Sequence, residues 1–275
     1  MPGQDTFVAL RRRALLDEQR PRLLGLAYRL LGTLTDAHLV LDEVARSSSS
    51  ADLTALVTRL ALRRLEEVRP RRAGYAGRWL PEPVAETSLS LPTLLAMERL
   101  SPLERCAYVL RVADGLPYAD VAAGLGRSGP ASRQLVRRAR NRLGVGPSAL
   151  TVDEAVVQRF AAACRSARLT PLAEVLADEV AVHTDAPHPR ADGRDQAAAL
   201  LLSTLRRLPR GTVLVEERVN GEPGLVGRAG GRPVCALAVQ SDAGRVAVVL
   251  VVTNPARLGG LITTATQGAS GHRLP

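Results

Sequence analysis

Three helices with their stop signals are written between Leu100 and Leu143, and this punctuation constrains the fold of the 275-residue chain more than any other feature. Ser101 and Pro102 stand at N-cap and first-turn positions, and Glu104 lies three residues after the serine, the spacing of a capping box. Leu103, Ala107, Leu110 and Val112 give that helix an apolar stripe, and Asp114-Gly115-Leu116-Pro117 breaks it. Tyr118 to Leu125 has the length of a second, short helix that turns Val121, Ala122 and Leu125 inward, with Gly126 as its C-cap. Ser128 caps a third helix that runs to Leu143.

A short helix, a glycine-containing turn and a longer helix make a helix-turn-helix, whose last helix enters the major groove of DNA. Charge points the same way, because from Arg127 to Arg142 there are six arginines and no Asp or Glu. A structural helix intersperses acids to form i,i+4 pairs. An all-positive one suits phosphate contact and counterion release. The competing reading, a solvated basic face, leaves the coincidence of three punctuated helices unexplained. The expected DNA-binding residues are Arg127, Ser132, Arg133, Gln134, Arg137, Arg138 and Arg140, with Arg133, Arg137 and Arg138 foremost. Arginine reads guanine bidentately, while most contacts in such interfaces go to phosphate.

All 37 basic residues are Arg, a bias that fits a GC-rich genome, so arginine abundance alone is no sign of nucleic-acid binding. Its distribution is more telling. Residues 1–150 hold 23 Arg against 15 acids, and residues 151–275 hold 14 against 12, so the positive field belongs to the N-terminal half. Cys106, Cys164 and Cys235 stand singly in apolar contexts without metal-ligand spacing, as small buried hydrophobes in a reducing compartment. The start of the chain lacks a signal pattern, and no apolar run reaches about 18 residues. A soluble, cytoplasmic protein without a membrane partner is expected. No Walker loop, dinucleotide fingerprint, nucleophile elbow or metal constellation occurs, so no catalytic residue, metal or cofactor is expected and the chain reads as a non-enzyme.

The length allows two or three domains. Residues 1–20 read as polar and at most partly helical. A buried helix follows from Arg20, with Leu23, Leu24, Leu26, Ala27, Leu30 and Leu31 apolar and Gly32 at its end. Thr35 or Asp36 caps the next helix, which stops at Ser47 to Ser50, and a third runs from Asp52 to Val68. Residues 1–69 thus form an all-helical domain. Residues 70–92, rich in Pro and Gly and carrying the only tryptophan, Trp79, read as a linker, and residues 93–147 hold the helix-turn-helix. After Gly144-Val145-Gly146-Pro147 the grammar changes. Thr151 caps a helix to Ala167, and Pro171 to Ala177 forms a short one. Apolar runs follow at 180–182, 213–215, 224–226, 234–239 and 246–252, with a helix at 194–208 among them. This is an α+β layout, a curved antiparallel sheet with one helix-covered face, over residues 148–265. Gly259 to Pro275 looks weakly ordered, with 266–275 as a tail.

This order resembles an RNA polymerase sigma factor of the extracytoplasmic-function group, in the subgroup with a C-terminal NTF2-like (SnoaL-like) domain, over residues 20 to 258. Residues 20–32 with Asp36-Ala37 look like the start of sigma region 2, and residues 57–65 look like its later part. Tyr75 to Pro83, with Trp79-Leu80-Pro81-Glu82-Pro83, is similar to the linker signature of the subgroup and is the most specific match. Leu100 onward looks like region 4, and Asn254-Pro255 with Leu258 resembles the end of the appended domain. The resemblance implies a multidomain chain: an all-α bundle similar to region 2, a helix-turn-helix domain similar to region 4, then an α+β NTF2-like cone. It implies core RNA polymerase and promoter DNA as partners. Region 2 would bind the polymerase clamp through Asp36, Asp42 and Glu43 and open the −10 element, and region 4 would read the −35 element. Tyr75, Trp79, Leu80 and Pro81 would make linker contacts, and the appended domain would modulate activity in place of a separate anti-sigma factor.

Departures from the family accompany the match. Its second helix usually begins Asp-Ala-Glu-Asp and continues with Gln-Glu two residues on; here Asp36, Ala37, His38 and Leu39 precede Asp42 and Glu43. Two carboxylates are lost and one is gained, which predicts weaker clamp binding. Where the family carries an aromatic-bearing segment that holds flipped −10 bases, this chain has Val44-Ala45-Arg46 and four serines, and no aromatic lies between Tyr28 and Tyr75. Unpaired bases need stacking platforms. Gly129 to Ser132 replaces a proline one place earlier and an apolar residue at Ser132, a change expected to loosen the recognition helix. The appended domain has His183-Thr184-Asp185-Ala186-Pro187-His188 where the family has a glycine-rich stretch.

Three functions compete. The first is a sigma factor that directs transcription initiation. The second is a sigma-derived DNA-binding regulator that no longer melts promoters and senses a ligand through its NTF2-like domain. The third, an enzyme using His183, Asp185 and His188, rests on fold analogy, and a strand-end His beside Pro187 and Pro189 is more often a loop residue. A small-molecule ligand in the appended domain and simple packing of that domain both remain open.

Overall fold

The computed structural model describes residues 2–47, 52–75, 79–144, 152–186, 191, 193–262 and 272–273. The chain divides into two compact units. One joins Met1–Ala73 to Ala96–Val145, and the other joins Gly74–Leu95 to Gly146–Pro275.

In the first unit α1 (Pro2–Leu31) runs unbroken through Pro21, where only partial helix was expected ahead of Arg20. An interior proline removes one ladder bond and costs about 3 kcal/mol. The apolar stripe bridges it, however: Leu16 is buried on one side, and Leu23, Ala27 and Leu30 on the other. Thr33, rather than Thr35 or Asp36, caps α2 (Leu34–Arg46); its Oγ1 accepts from the Asp36 N–H at 3.2 Å and donates to Asp36 Oδ2 at 2.7 Å. The run Ser48–Ser50 lies outside the described residues. The Asp52 carboxylate accepts from the Ala55 N–H at 3.0 Å, and α3 (Leu53–Ala73) continues through Pro70, five residues beyond the expected end at Val68. Its last turn is held by Arg72, which donates to the Leu31 carbonyl at 2.7 Å and to Glu98 at 3.0 Å.

The next helix, α4 (Leu91–Ala96), straddles the expected boundary at 92/93 between the linker and the helix-turn-helix domain, with Ser90 Oγ accepting from the Thr93 N–H at 3.3 Å. Ser101 and Glu104 form the expected capping box at the head of α5 (Pro102–Tyr108). The helix then widens into a π-turn over Val109–Ala113, a feature the sequence pattern did not announce. Then come α6 (Tyr118–Leu125), ended by Gly126 at φ 61°, and α7 (Gly129–Leu143), capped by Ser128 and ended by Gly144 at φ 66°. α3 packs on α1, α2, α5 and α6. Gly124 of α6 faces Thr58 of α3 and Leu110: a Cβ there would sit 3.5 Å from their side-chain atoms, in ordinary contact.

The second unit begins its own helices with α8 (Glu154–Ser166), capped by Asp153; Thr151, the expected cap, lies outside the described residues. α9 (Leu169–Val175) sits two residues ahead of its expected place, and α10 spans Arg194–Arg206. The sheet consists of β1 (Leu176–Thr184), β2 (Val213–Val219), β3 (Glu222–Ala229), β4 (Arg232–Asp242), β5 (Arg245–Val252) and β6 (His272–Arg273), in the order β1-β5-β4-β3-β2-β6. The expectation of a wholly antiparallel sheet is corrected at one edge, where β1 runs parallel to β5. Strands β2 to β5 are joined by two-residue turns, Asn220-Gly221, Gly230-Gly231 and Ala243-Gly244, all at positive φ, and such hairpins force alternating directions. β1 is separated from them by α10, a connection long enough for parallel pairing. His272 and Arg273 of the expected tail pair with β2.

Both faces of the sheet are covered, which explains why β4 and β5 read as continuous apolar runs rather than alternating ones. Leu225, Leu237, Val249 and Val251 pack under Phe160, Leu172 and Leu201 of the helices. Val226, Ala236, Ala238, Leu250 and Val252 of the opposite face meet Leu80, Leu91 and Leu95 together with Leu258 and Leu261. The three cysteines are buried and free, and burial pushes the Cys106 and Cys235 thiols up to about 12 and raises Cys164 as well.

Candidate nucleic-acid interface

Ser132, Val136 and Ala139 face inward along α7, and this stripe sets what the helix presents to solvent. Arg127, Arg133, Gln134, Arg137, Arg138 and Arg140 are exposed. Ser132 leaves the DNA-binding set: it is fully buried and its hydroxyl donates to the Ser128 carbonyl at 3.0 Å. A short polar residue is tolerated there because the local backbone satisfies it. Among the described residues no carboxylate lies within ion-pair distance of Arg133, Arg137, Arg138 or Arg140, whereas Arg142 pairs with Glu104 at 3.0 Å. Tyr118, at the head of α6, lies between two guanidiniums, Arg111 at 5.0 Å and Arg133 at 5.8 Å from the ring centre. Neither the Tyr118 stack nor the Arg142–Glu104 pair was foreseen, since both join positions distant in sequence.

The acidic side chains of α2 are engaged within the unit. Asp36 accepts from Arg64 at 2.8 Å and lies 3.6 Å from Arg72, Glu43 pairs with Arg63, and Asp42 lies 3.9 Å from Arg20. Asp36 is the most enclosed of the three, with its side chain 13% exposed. Leu39, where the family carries an acid, is 48% exposed.

In the second unit the linker residues are fixed by the end of the sheet. The Arg257 guanidinium lies 5.4 Å from the Tyr75 ring and 5.5 Å from the Trp79 ring, and it donates to the Leu80 carbonyl at 2.5 Å. Leu80 is fully buried, Pro81 is buried beside it, and residues 76–78, including Arg78 of the signature, lie outside the described residues. Asp185 is bound into the fold. It is 4% exposed and accepts from the Thr253 N–H and Oγ1 and from the Asn254 N–H, between 2.9 and 3.1 Å. Those bonds clamp the end of β1 to the segment after β5. His188 lies outside the described residues.

Residues 91–143 match the family described as Sigma-70, region 4. Across 286 aligned residues, 88% of this chain and 91% of the relative, the sequence is 30% identical to the ECF RNA polymerase sigma factor SigJ of Mycobacterium tuberculosis. The chain belongs to the extracytoplasmic-function (ECF) RNA polymerase sigma factors. The crystal structure of SigJ superposes on this sigma factor with a TM-score of 0.69 and 28% identity, covering 90% of this chain and 98% of that one. The probable ECF sigma factor SigI of the same species is 31% identical over 178 residues, 63% of this chain and 61% of its own. The helical N-terminal part with region 4 and the C-terminal mixed-sheet NTF2-like domain of this sigma factor thus follow the SigJ architecture. No helix among its described residues is long and apolar enough to cross a membrane.

Proposed function

We propose that this sigma factor binds core RNA polymerase through the α1–α3 bundle and reads the −35 element of its promoters with α7, while its NTF2-like domain modulates that activity. The observation that carries this reading is the exposed, acid-free face of α7, with Arg133, Arg137, Arg138 and Arg140 held outward by the Val136–Ala139 stripe. Arg133, stacked on Tyr118, is presented with less rotamer freedom than its neighbours.

A second reading, a sigma-derived regulator that does not melt DNA, draws on one observation: α2 ends at Arg46, α3 begins at Leu53, and no aromatic lies between Tyr28 and Tyr75. Reconstitution with purified core polymerase separates the two. Co-elution with core and a run-off transcript from the protein's own upstream region are expected. Promoter binding without core association or transcript would favour the regulator.

A further inference from the structure

In the second unit α8, α9 and the turn between β4 and β5 frame a groove of about 530 Å³, within the range of roughly 300–1,000 Å³ that small-molecule sites occupy. Ala162, Pro171 and Val175 form its apolar wall. Its charged side chains are Arg159 of α8, Arg245 at the start of β5 and Glu174 of α9, two cations to one acid. All three are exposed, so the groove is open to solutes.

Backbone carbonyls, not acids, hold both guanidiniums. Arg159 Nη2 donates to the Gly244 carbonyl at 2.6 Å, which ties α8 to the turn. Arg245 Nη1 donates to the Glu174 carbonyl at 2.7 Å and lies 3.4 Å from the Leu176 carbonyl, which ties the turn to the end of α9. A neutral carbonyl fixes where a guanidinium sits and leaves its charge uncancelled. Among the described residues no carboxylate lies within ion-pair distance of either arginine, and each has further N–H donors beyond the nitrogen so engaged. The turn is strained as well. Ala243 sits at φ 46°, at the place where the β2–β3 and β3–β4 turns have Asn220 and Gly230, residues that accept the left-handed region more readily. Strain of this kind gathers at ligand sites.

We propose that this groove binds an amphipathic organic monocarboxylate. The two coplanar oxygens of a carboxylate match the guanidinium fork, and its single charge balances the surplus of one positive charge. The hydrocarbon body lies on Ala162, Pro171 and Val175. Glu174 supplies the selectivity, because its like charge disfavours a ligand with a second acidic group. The site does not depend on the polymerase and promoter reading above.

Calorimetric titration of the full-length protein with octanoate, at constant ionic strength, tests the groove, with octylammonium and octanedioate as comparisons. One saturable octanoate site is expected, octanedioate should bind about tenfold more weakly, and octylammonium should not saturate. This comparison uses the unaltered chain and needs no variant to fold. Arg159→Met, which removes an exposed side chain, should weaken octanoate about tenfold or more, as loss of a charge-assisted bond does. Ala162→Phe, at an exposed position of α8, should block the groove, whereas Arg232→Met, which removes the same charge at the far end of β4, should leave the affinity unchanged. Heats that do not saturate with octanoate would overturn the proposal, as would octylammonium or octanedioate binding as tightly as octanoate. So would wild-type affinity in Arg159→Met or Ala162→Phe, or an equal loss in Arg159→Met and Arg232→Met.

Discussion

Asn220 holds Val84 by both sides of its peptide group, its Oδ1 accepting from the Val84 N–H at 3.1 Å and its own N–H donating to the Val84 carbonyl at 2.6 Å. The same carboxamide donates to the Leu89 carbonyl at 3.2 Å, so a hairpin turn of the sheet serves as the anchor of the segment before α4. Asn220 adopts φ 55°, a conformation asparagine accepts more readily than most residues. At the next position, Gly221, a Cβ would come within 2.6 Å of the Thr87 carbonyl oxygen.

Asn220→Ala leaves buried backbone groups of Val84 and Leu89 unpaired and puts alanine in a left-handed conformation. A loss of about 3 kcal/mol from the second unit is expected. Urea unfolding followed by the fluorescence of Trp79, the only tryptophan, reads it, and an unchanged midpoint would remove Asn220 from the anchor.

Gly227 and Cys235 face each other across β3 and β4, and a Cβ on residue 227 would meet Cys235 Sγ at 2.5 Å. Gly227→Ala should cost about 1–3 kcal/mol by overpacking. Removing the sulfur in Gly227→Ala/Cys235→Ala should recover part of that loss, a coupling that a double-mutant cycle measures. Additive losses would show that the strain lies elsewhere.

Glu104 carries an acid-dependent part of the stability of the first unit. Burial alone would raise its pKa, but the bonds donated by Ser101 and the charges of Arg142 and Arg138 outweigh burial and hold it below the ordinary 4.5. A group whose folded pKa is depressed stabilises fully above its unfolded value, and that contribution is lost as pH falls through the folded one. Glu104→Gln should therefore be less stable at neutral pH, and the gap to wild type should close in acid below about 4.5. Denaturation midpoints across that range decide; a gap that persists unchanged in acid would exclude the carboxylate.

On α7, Arg137→Ala and Arg133→Ala are expected to weaken promoter binding by about tenfold each. The pattern separates two roles: a phosphate contact lowers affinity for every sequence and the salt slope by about 1, whereas a base contact relaxes preference at one position. Salt-dependent titrations on matched and mismatched −35 duplexes read the difference. Tyr118→Ala should reproduce part of the Arg133 effect, and Tyr118→Phe should not.

Replacing His38 and Leu39 with Glu and Asp restores the acids of the family pattern on the exposed side of α2. If that side meets the basic clamp, association with core polymerase should accelerate with little change in dissociation. Stopped-flow association at two salt concentrations measures it. No acceleration at low salt would place the clamp contact on another face.

Local grammar made the helix-turn-helix legible. The Ser101–Glu104 box, Gly126 and Ser128 each act within a few residues of chain, and the structure has all three where the letters put them. The strand runs were legible too, because both sheet faces are apolar. What the sequence did not disclose depends on partners far away in it. One helix was expected to begin at Arg20, beside Pro21, and another to end at Val68, before Pro70, yet the Leu16–Leu23 stripe and Arg72 carry the helices across both prolines. β1 looked like one more antiparallel strand because direction is set by its neighbour β5 and not by its composition. Ser132 looked like a groove residue because its helical phase was read from charge and not from Val136 and Ala139. The pairing of Trp79 with Arg257 joins two family signatures 178 positions apart, and neither specifies the other.

The segment from Leu80 to Leu95 covers strands β2 to β5, which are encoded more than a hundred residues later. A gene fragment encoding only residues 146–275 would therefore yield a sheet with one bare apolar side, and a fragment that stops before 146 would yield a sigma module trailing an uncovered greasy ribbon. Neither half can be grafted onto another protein as one continuous cassette. Recombination that exchanges the appended domain among related sigma factors has to carry the tether along with it or rebuild the seam.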